Sequence, residues 1–158
     1  MIRYFLSAVL LAASTVAMAA PDKPDFTLAS NQGENLRLSE QRGEVIMINF
    51  WASWCGPCRK EMPLLNELDK RYKPAGFKVW GVNVDANRAD AEAMLEKIPV
   101  DFAVLFDSDS SVSQQFGIDA MPSTVFIDRD GKVRHIHRGY RDGDDASYKK
   151  WIKTLIRE

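Results

Sequence analysis

"NFWASWCGPCRKEMP", residues 49–63, carries both cysteines of the chain and joins two different periodicities. Val45 to Trp51 is a near-continuous apolar run after Gly43. That is the pattern of a central strand buried on both faces. Beyond Cys58 the residues Met62, Leu65, Leu68 or Asp69, and Tyr72 recur at helical spacing, with Glu61, Asn66, Glu67 and Lys70 between them. The spacing predicts an amphipathic helix from about Pro57 to Tyr72 that faces a sheet. Pro57 suits its first turn, where a missing N–H costs little. Pro63 lies inside it and is expected to kink it. The cysteines therefore sit where a buried strand gives way to a helix.

The rest of the chain continues this alternation. Phe26 to Leu28 and Leu36 to Leu38 flank the turn-like "NQGEN" and read as a hairpin. "GFKVWGVNVD" (76–85) reads as a second buried strand, Ala89 to Lys97 as a helix, Phe102 to Phe106 as a third strand and Ser110 to Phe116 as a short helix. Ser123 to Ile127 is β-branched and apolar, and Asp130-Gly131 marks a hairpin turn into Lys132 to His137. A last helix starts near Asp144 or Asp145 as N-cap, with Tyr148, Trp151, Ile152, Leu155 and Ile156 as its apolar stripe. The expected class is α/β: a mixed sheet flanked by helices. No repeat, low-complexity segment or long linker divides it.

At 158 residues and 46% apolar, the chain can build a sizeable core without disulfides or metals. A formal charge of −1 gives no reason to expect a nucleic-acid partner. The N-terminus has its own pattern. Arg3 is the only charge before Asp22, Tyr4 to Val16 is apolar, and Ala17-Met18-Ala19 follows. This is the layout of a secretory signal, with cleavage expected after Ala19. The mature domain is then residues 20–158, exported to the periplasm or another oxidising compartment. The alternative is an uncleaved membrane anchor, but the apolar run is shorter than the roughly 20 residues a span needs, and no stable span is expected after cleavage.

Three uses of the Cys55–Cys58 pair compete. A structural disulfide closing so small a loop stabilises by only about 2 kcal/mol. A zinc or copper site needs further ligands. The only histidines, His135 and His137, sit at i, i+2 on one strand that nothing brings to the cysteines, so they read as surface or packing residues. Thiol chemistry fits the local physics best. Cys55 would lie just before a helix N-terminus, where unpaired N–H groups and the macrodipole favour a thiolate. Cys58, one turn in, would be shielded and placed to resolve a mixed disulfide. Gly56 and Pro57 set the turn between them, and no metal or other cofactor is called for. Trp51 and Trp54 read as part packing and part substrate platform, with Trp54 the nearer to a substrate.

"FWASWCGPC", Pro63 five residues beyond Cys58, and "GIDAMPSTVFIDRDGK" (117–132) together resemble the thioredoxin superfamily. The resemblance implies a thioredoxin fold with a cis-proline at Pro122, and with the Met121 backbone pairing to the substrate chain. Asn49 stands where cytoplasmic thioredoxin has a buried Asp. The "PDFTL" lead-in and an added helix and strand near 88–106 are similar to the exported TlpA and ResA type, including cytochrome c maturation reductases. In that type an acid three places past the second cysteine, here Glu61, tunes the thiols. A solvated helix acid is the alternative reading of Glu61.

The mechanism that follows makes Cys55 the nucleophile, Cys58 the resolving thiol and Glu61 the group that tunes pKa and moves a proton. The Gly-Pro dipeptide points to the reducing end of a potential range running from about −270 to −120 mV. The expected substrate is a disulfide in an exported protein, such as an apocytochrome c or a copper-site protein. By the resemblance, the electron donor is a membrane thiol transporter. The protein is expected to act as a monomer. The rivals are a copper or zinc delivery module on the same cysteines, and a disulfide oxidant or isomerase.

Overall fold

Among the described residues, seven strands and four α-helices follow one another in the order the periodicities predict. The structure, a computed structural model, describes residues 21–158. The expected signal segment, 1–19, lies outside the described residues. Strands β1 (Thr27–Ala29) and β2 (Asn35–Arg37) pair as an antiparallel hairpin. The main sheet has the order β5-β4-β3-β6-β7. Its strands are β3 (Val45–Trp51), β4 (Phe77–Asn83), β5 (Ala103–Phe106), β6 (Ser123–Ile127) and β7 (Val133–Arg138). β3 runs parallel to β4, and β4 to β5, while β6 is antiparallel to both β3 and β7. The helices are α1 (Gly56–Tyr72), α2 (Arg88–Lys97), α3 (Ser111–Gln115) and α4 (Asp144–Leu155).

β3 explains its own sequence. Every residue from Val45 to Trp51 is buried, because both faces of the sheet are covered. Val45, Met47 and Trp51 pack with Met62, Leu65 and Leu68 of α1 and with Tyr148, Ile152 and Leu155 of α4. Ile46, Ile48 and Phe50 point the other way, into a second cluster with Phe26, Leu38, Val112 and Phe116. The N-terminal hairpin segment and the short α3 thus seal the face that the long helices leave. Gly81 in β4 has a packing reason. A Cβ there would come within 2.8 Å of Phe102 and 3.1 Å of the Trp51 indole nitrogen. Gly131, at φ +76°, makes the turn between β6 and β7.

Two expectations are revised and one left open is settled. Gly143, at φ +99°, occupies the N-cap position of α4, so Asp144 and Asp145 belong to its first turn. The Asp144 carboxylate instead accepts from the Arg141 N–H at 2.8 Å. Trp51 is fully buried, which leaves it a packing residue with no platform role. Asp69, ambiguous on the helix stripe, is buried and accepts from the Val79 N–H at 2.8 Å, tying α1 to β4. α1 continues through Pro63 without ending.

Candidate active site

β3 ends at Trp51 and α1 begins at Gly56, so the four residues between them form a tight connection at one end of the sheet. Two sets of hydrogen bonds fix it. The Cys55 N–H donates to the Ala52 carbonyl at 3.1 Å. Buried Asp85 accepts from the Ser53 N–H at 2.9 Å, the Ser53 hydroxyl at 3.1 Å and Asn83 Nδ2 at 2.8 Å. Asp85 follows β4, whose parallel pairing with β3 brings it beside this turn.

Cys55 is the N-cap residue of α1, with extended backbone angles of φ −84° and ψ 106°. Its Sγ accepts the Cys58 N–H at 3.2 Å and is bonded to Cys58 Sγ at 2.10 Å. The structure therefore holds the oxidised form. A sulfur at an N-cap receives an orphan helix N–H and the positive end of the macrodipole, both of which stabilise negative charge once the disulfide opens. Pro57 occupies the first turn of the helix. Cys55 is 4% exposed and Cys58 1%. Trp54, just before them, is 70% exposed, the one large hydrophobic so placed among the described residues.

The Met121–Pro122 peptide bond is cis. It precedes β6, whose Ser123 pairs with Phe50 at the end of β3, so it lies at the same end of the sheet as the cysteines. Trp54 and Met121 line one open groove of about 510 Å³ with Val84, Ile118 and Ala120. Ser110, Ser113, Gln114 and Asp119 supply the polar part of its lining, so the groove offers both apolar contact and hydrogen-bonding groups.

Glu61 is fully buried, which removes the solvated reading. It lies one turn beyond Cys58 on the inward face of α1. Its Oε1 accepts from the Tyr148 hydroxyl at 2.6 Å, and its Oε2 from Asn49 Nδ2 at 3.0 Å. Asn49 Nδ2 also donates to Thr124 Oγ1 at 3.0 Å. An ionised carboxylate takes only donors, so the amide nitrogen must face it, and Asn49 Oδ1 is left buried without a partner. Burial pushes the Glu61 carboxyl up to about 7. The bonds from Tyr148 and Asn49 oppose that rise, and the charge of Asp144 adds to it. A carboxyl near neutrality one turn from a thiol can exchange a proton with it at physiological pH.

The histidines are engaged elsewhere. His135 stacks on Trp151 with centroids 4.5 Å apart, and His137 Nε2 lies 3.0 Å from Asp144 Oδ2. Among the described residues no three His, Cys, Asp or Glu side chains cluster as metal ligands would.

The structure places Cys55, Cys58, Glu61, Trp54, Met121 and Pro122, all named from the sequence, near one end of the sheet, together with Gly56 and Pro57. Sequence reasoning missed Asp85, Thr124 and Tyr148. Tyr148 was visible only as part of an apolar stripe. The available signal was general: a buried tyrosine hydroxyl needs a partner.

Comparison with known proteins agrees with this geometry. Residues 17–152 match the Redoxin family. The thiol-disulfide oxidoreductase ResA of Geobacillus thermodenitrificans is 32% identical over 142 residues, covering 90% of this chain and 82% of that protein. A crystal structure from Chlorobium tepidum, assigned as a thiol:disulfide interchange protein DsbE, superposes with a TM-score of 0.84 at 38% identity, covering 89% of this chain and 99% of that one. A solution structure from Neisseria meningitidis, assigned as a thioredoxin, gives 0.78 at 26% identity, covering 88% and 92%.

Proposed function

This chain belongs to the Redoxin family as a ResA-like thiol-disulfide oxidoreductase of thioredoxin fold, and on that premise we propose that it reduces disulfides in exported proteins. The observation that carries the reading is Cys55 at the N-cap of α1, its sulfur receiving the Cys58 N–H next to the exposed Trp54. In the reduced enzyme, the Cys55 thiolate attacks one sulfur of a substrate disulfide, and the other substrate sulfur leaves as a thiolate. Cys58 then passes its proton to Glu61 and attacks Cys55 Sγ. The Cys55–Cys58 bond forms and the bond to substrate breaks. The substrate gains two electrons, and the enzyme is left in the oxidised form seen here. Trp54 and the Met121 edge before cis-Pro122 hold the substrate chain, while Gly56 and Pro57 set the turn.

The further elements of this proposal are a signal at residues 1–19 that is cleaved, a working domain of 20–158 in the periplasm or a comparable exported compartment, and a monomer that needs no cofactor. Among the described residues no helix is long and apolar enough to cross a membrane. Electrons return from a membrane thiol donor, since the periplasm has no reducing buffer. An apocytochrome c or a copper-site protein fits the substrate class.

Cys58→Ser should trap covalent partners on Cys55 in the cell envelope, and Cys55→Ser should not. Equal trapping by both would contradict the assignment of nucleophile. Equilibration with glutathione tests direction. A potential near that of thioredoxin, about −270 mV, supports a reductase, and one near −120 mV makes the protein an oxidant.

A further inference from the structure

We propose that Tyr148 is a positioning residue for the exchange reaction, its hydroxyl matching the buried Glu61 carboxyl in both of that group's protonation states. The inference rests on the proposed role of Glu61 towards the thiols and adds a residue from the far end of the chain to it. Tyr148 and Glu61 are 87 positions apart and meet at 2.6 Å only because α4 and α1 pack on the same face of the sheet. Neither group is exposed, so no bulk water stands ready to replace one partner for the other.

A hydroxyl can donate to a carboxylate and, after a simple rotation about its C–O bond, accept from a carboxylic acid. When Glu61 is ionised, Tyr148 O–H and Asn49 Nδ2 each satisfy one oxygen, as observed. When Glu61 takes the proton of Cys58, its new O–H can turn to Tyr148 Oη. The tyrosine proton then needs another acceptor. Thr124 is the candidate acceptor, since its buried hydroxyl oxygen already takes the Asn49 Nδ2 bond beside Glu61 and keeps a second lone pair for a further donor. Asn49 Nδ2 need not move, because it faces an acceptor oxygen in either state. The transfer therefore strands no new buried donor, a condition for moving a proton inside a core at low cost.

The groups facing Glu61 come from several elements: Asn49 on β3, Thr124 on β6, Asp144 and Tyr148 on α4, Tyr140 in the loop before α4, and Cys58 on its own helix. The negative charge of Asp144 disfavours the ionised form, as does burial, while Tyr148 and Asn49 favour it. Removal of the Tyr148 hydroxyl thus shifts the balance towards the protonated acid. The ring itself packs on Phe126 and edge-on to His137, contacts that a phenylalanine retains.

The test is carbon-13 NMR titration of the Glu61 carboxyl in the oxidised protein, paired with the pH profile of thiol alkylation in the reduced protein. Tyr148→Phe should raise the Glu61 midpoint by about one pH unit, the size expected for losing one bond to a charged group. The thiol profile should move with it. On a Glu61→Gln background, Tyr148→Phe should leave the thiol profile where Glu61→Gln alone put it. An unmoved midpoint overturns the proposal, and so does a thiol shift that persists in the double variant. Should Tyr148→Phe fold poorly, 3,5-difluorotyrosine at position 148 keeps the shape and strengthens the donor. It should lower the midpoint, and no change or a rise would overturn the proposal. Failure of the underlying reading looks different: Glu61→Gln alone would leave the thiol profile unchanged.

Discussion

Two buried carboxylates on α1, Glu61 and Asp69, occupy the same helix two turns apart and differ in what holds them. Asp69 accepts a backbone N–H, that of Val79 in β4. Glu61 accepts only side-chain donors, Tyr148 and Asn49. Burial raises the pKa of both. A backbone donor cannot rotate away or become an acceptor, so it fixes one charge state and one position. Side-chain donors can be rearranged, so the carboxyl they hold is free to titrate. Asp85 and Asp107 follow the Asp69 pattern: both are buried and both accept backbone N–H groups, from Ser53 and from Val112 and Ser113 respectively. Glu61 is the exception among the four: it alone takes no backbone donor, and it lies one turn from Cys58 on the same helix.

The largest expected effect separates the two acids by pH. The folded pKa of Glu61 is raised from 4.5 to about 7, so between those values the folded protein binds more protons than the unfolded one. Stability then falls as pH rises through this window, by up to about 3 kcal/mol at 1.36 kcal/mol per pH unit. Urea unfolding of the oxidised protein should show the loss, and Glu61→Gln should remove most of the slope. The new side-chain carbonyl can keep accepting from Asn49 Nδ2 while the new NH₂ donates to a rotated Tyr148 hydroxyl, so the variant should fold. An unchanged slope would place Glu61 among the structural acids.

Next in size, Asp69→Ala strands the Val79 N–H and should cost about 2 kcal/mol at neutral pH, with no change in thiol alkylation. A shifted thiol profile would erase the distinction between the two sites. Asp85→Asn weakens the anchor of the turn before Cys55. It should cost about 1 kcal/mol in stability and lower the reduction rate about tenfold, through misplacement of the sulfur. Trp54→Ala should change stability by less than about 0.5 kcal/mol, since the ring is exposed. It should raise the KM for a protein disulfide more than it lowers kcat. A large loss of stability would make Trp54 a packing residue.

The same contrast explains what the sequence disclosed. β3 and α1 were legible because a buried strand and an amphipathic helix have different periods, and the change occurs at the cysteine pair. The turn at Asp130-Gly131 was legible because local chemistry sets it. The α4 N-cap lies one or two residues before the expected Asp144 or Asp145, because Gly143, rather than an acid, takes the left-handed N-cap position. Trp51 reads in the sequence as part packing and part platform, and only the covering of both sheet faces shows that it is wholly core. The setting of Glu61 had no local signature. Its partner Tyr148 is 87 residues distant, and Asn49 meets Thr124 across 75. Asp69 and Asp85 read as ordinary polar residues for the same reason, since their partners lie on other elements.

The alkylation rate of Cys55 in the reduced protein, followed as a function of pH, is the direct test that the helix N-terminus holds this sulfur as a thiolate. The expected midpoint is near 7 or below, against about 8.5 for a free cysteine, with Cys58 reacting far more slowly. A Cys55 midpoint at the free-peptide value, or equal rates at the two cysteines, would contradict it.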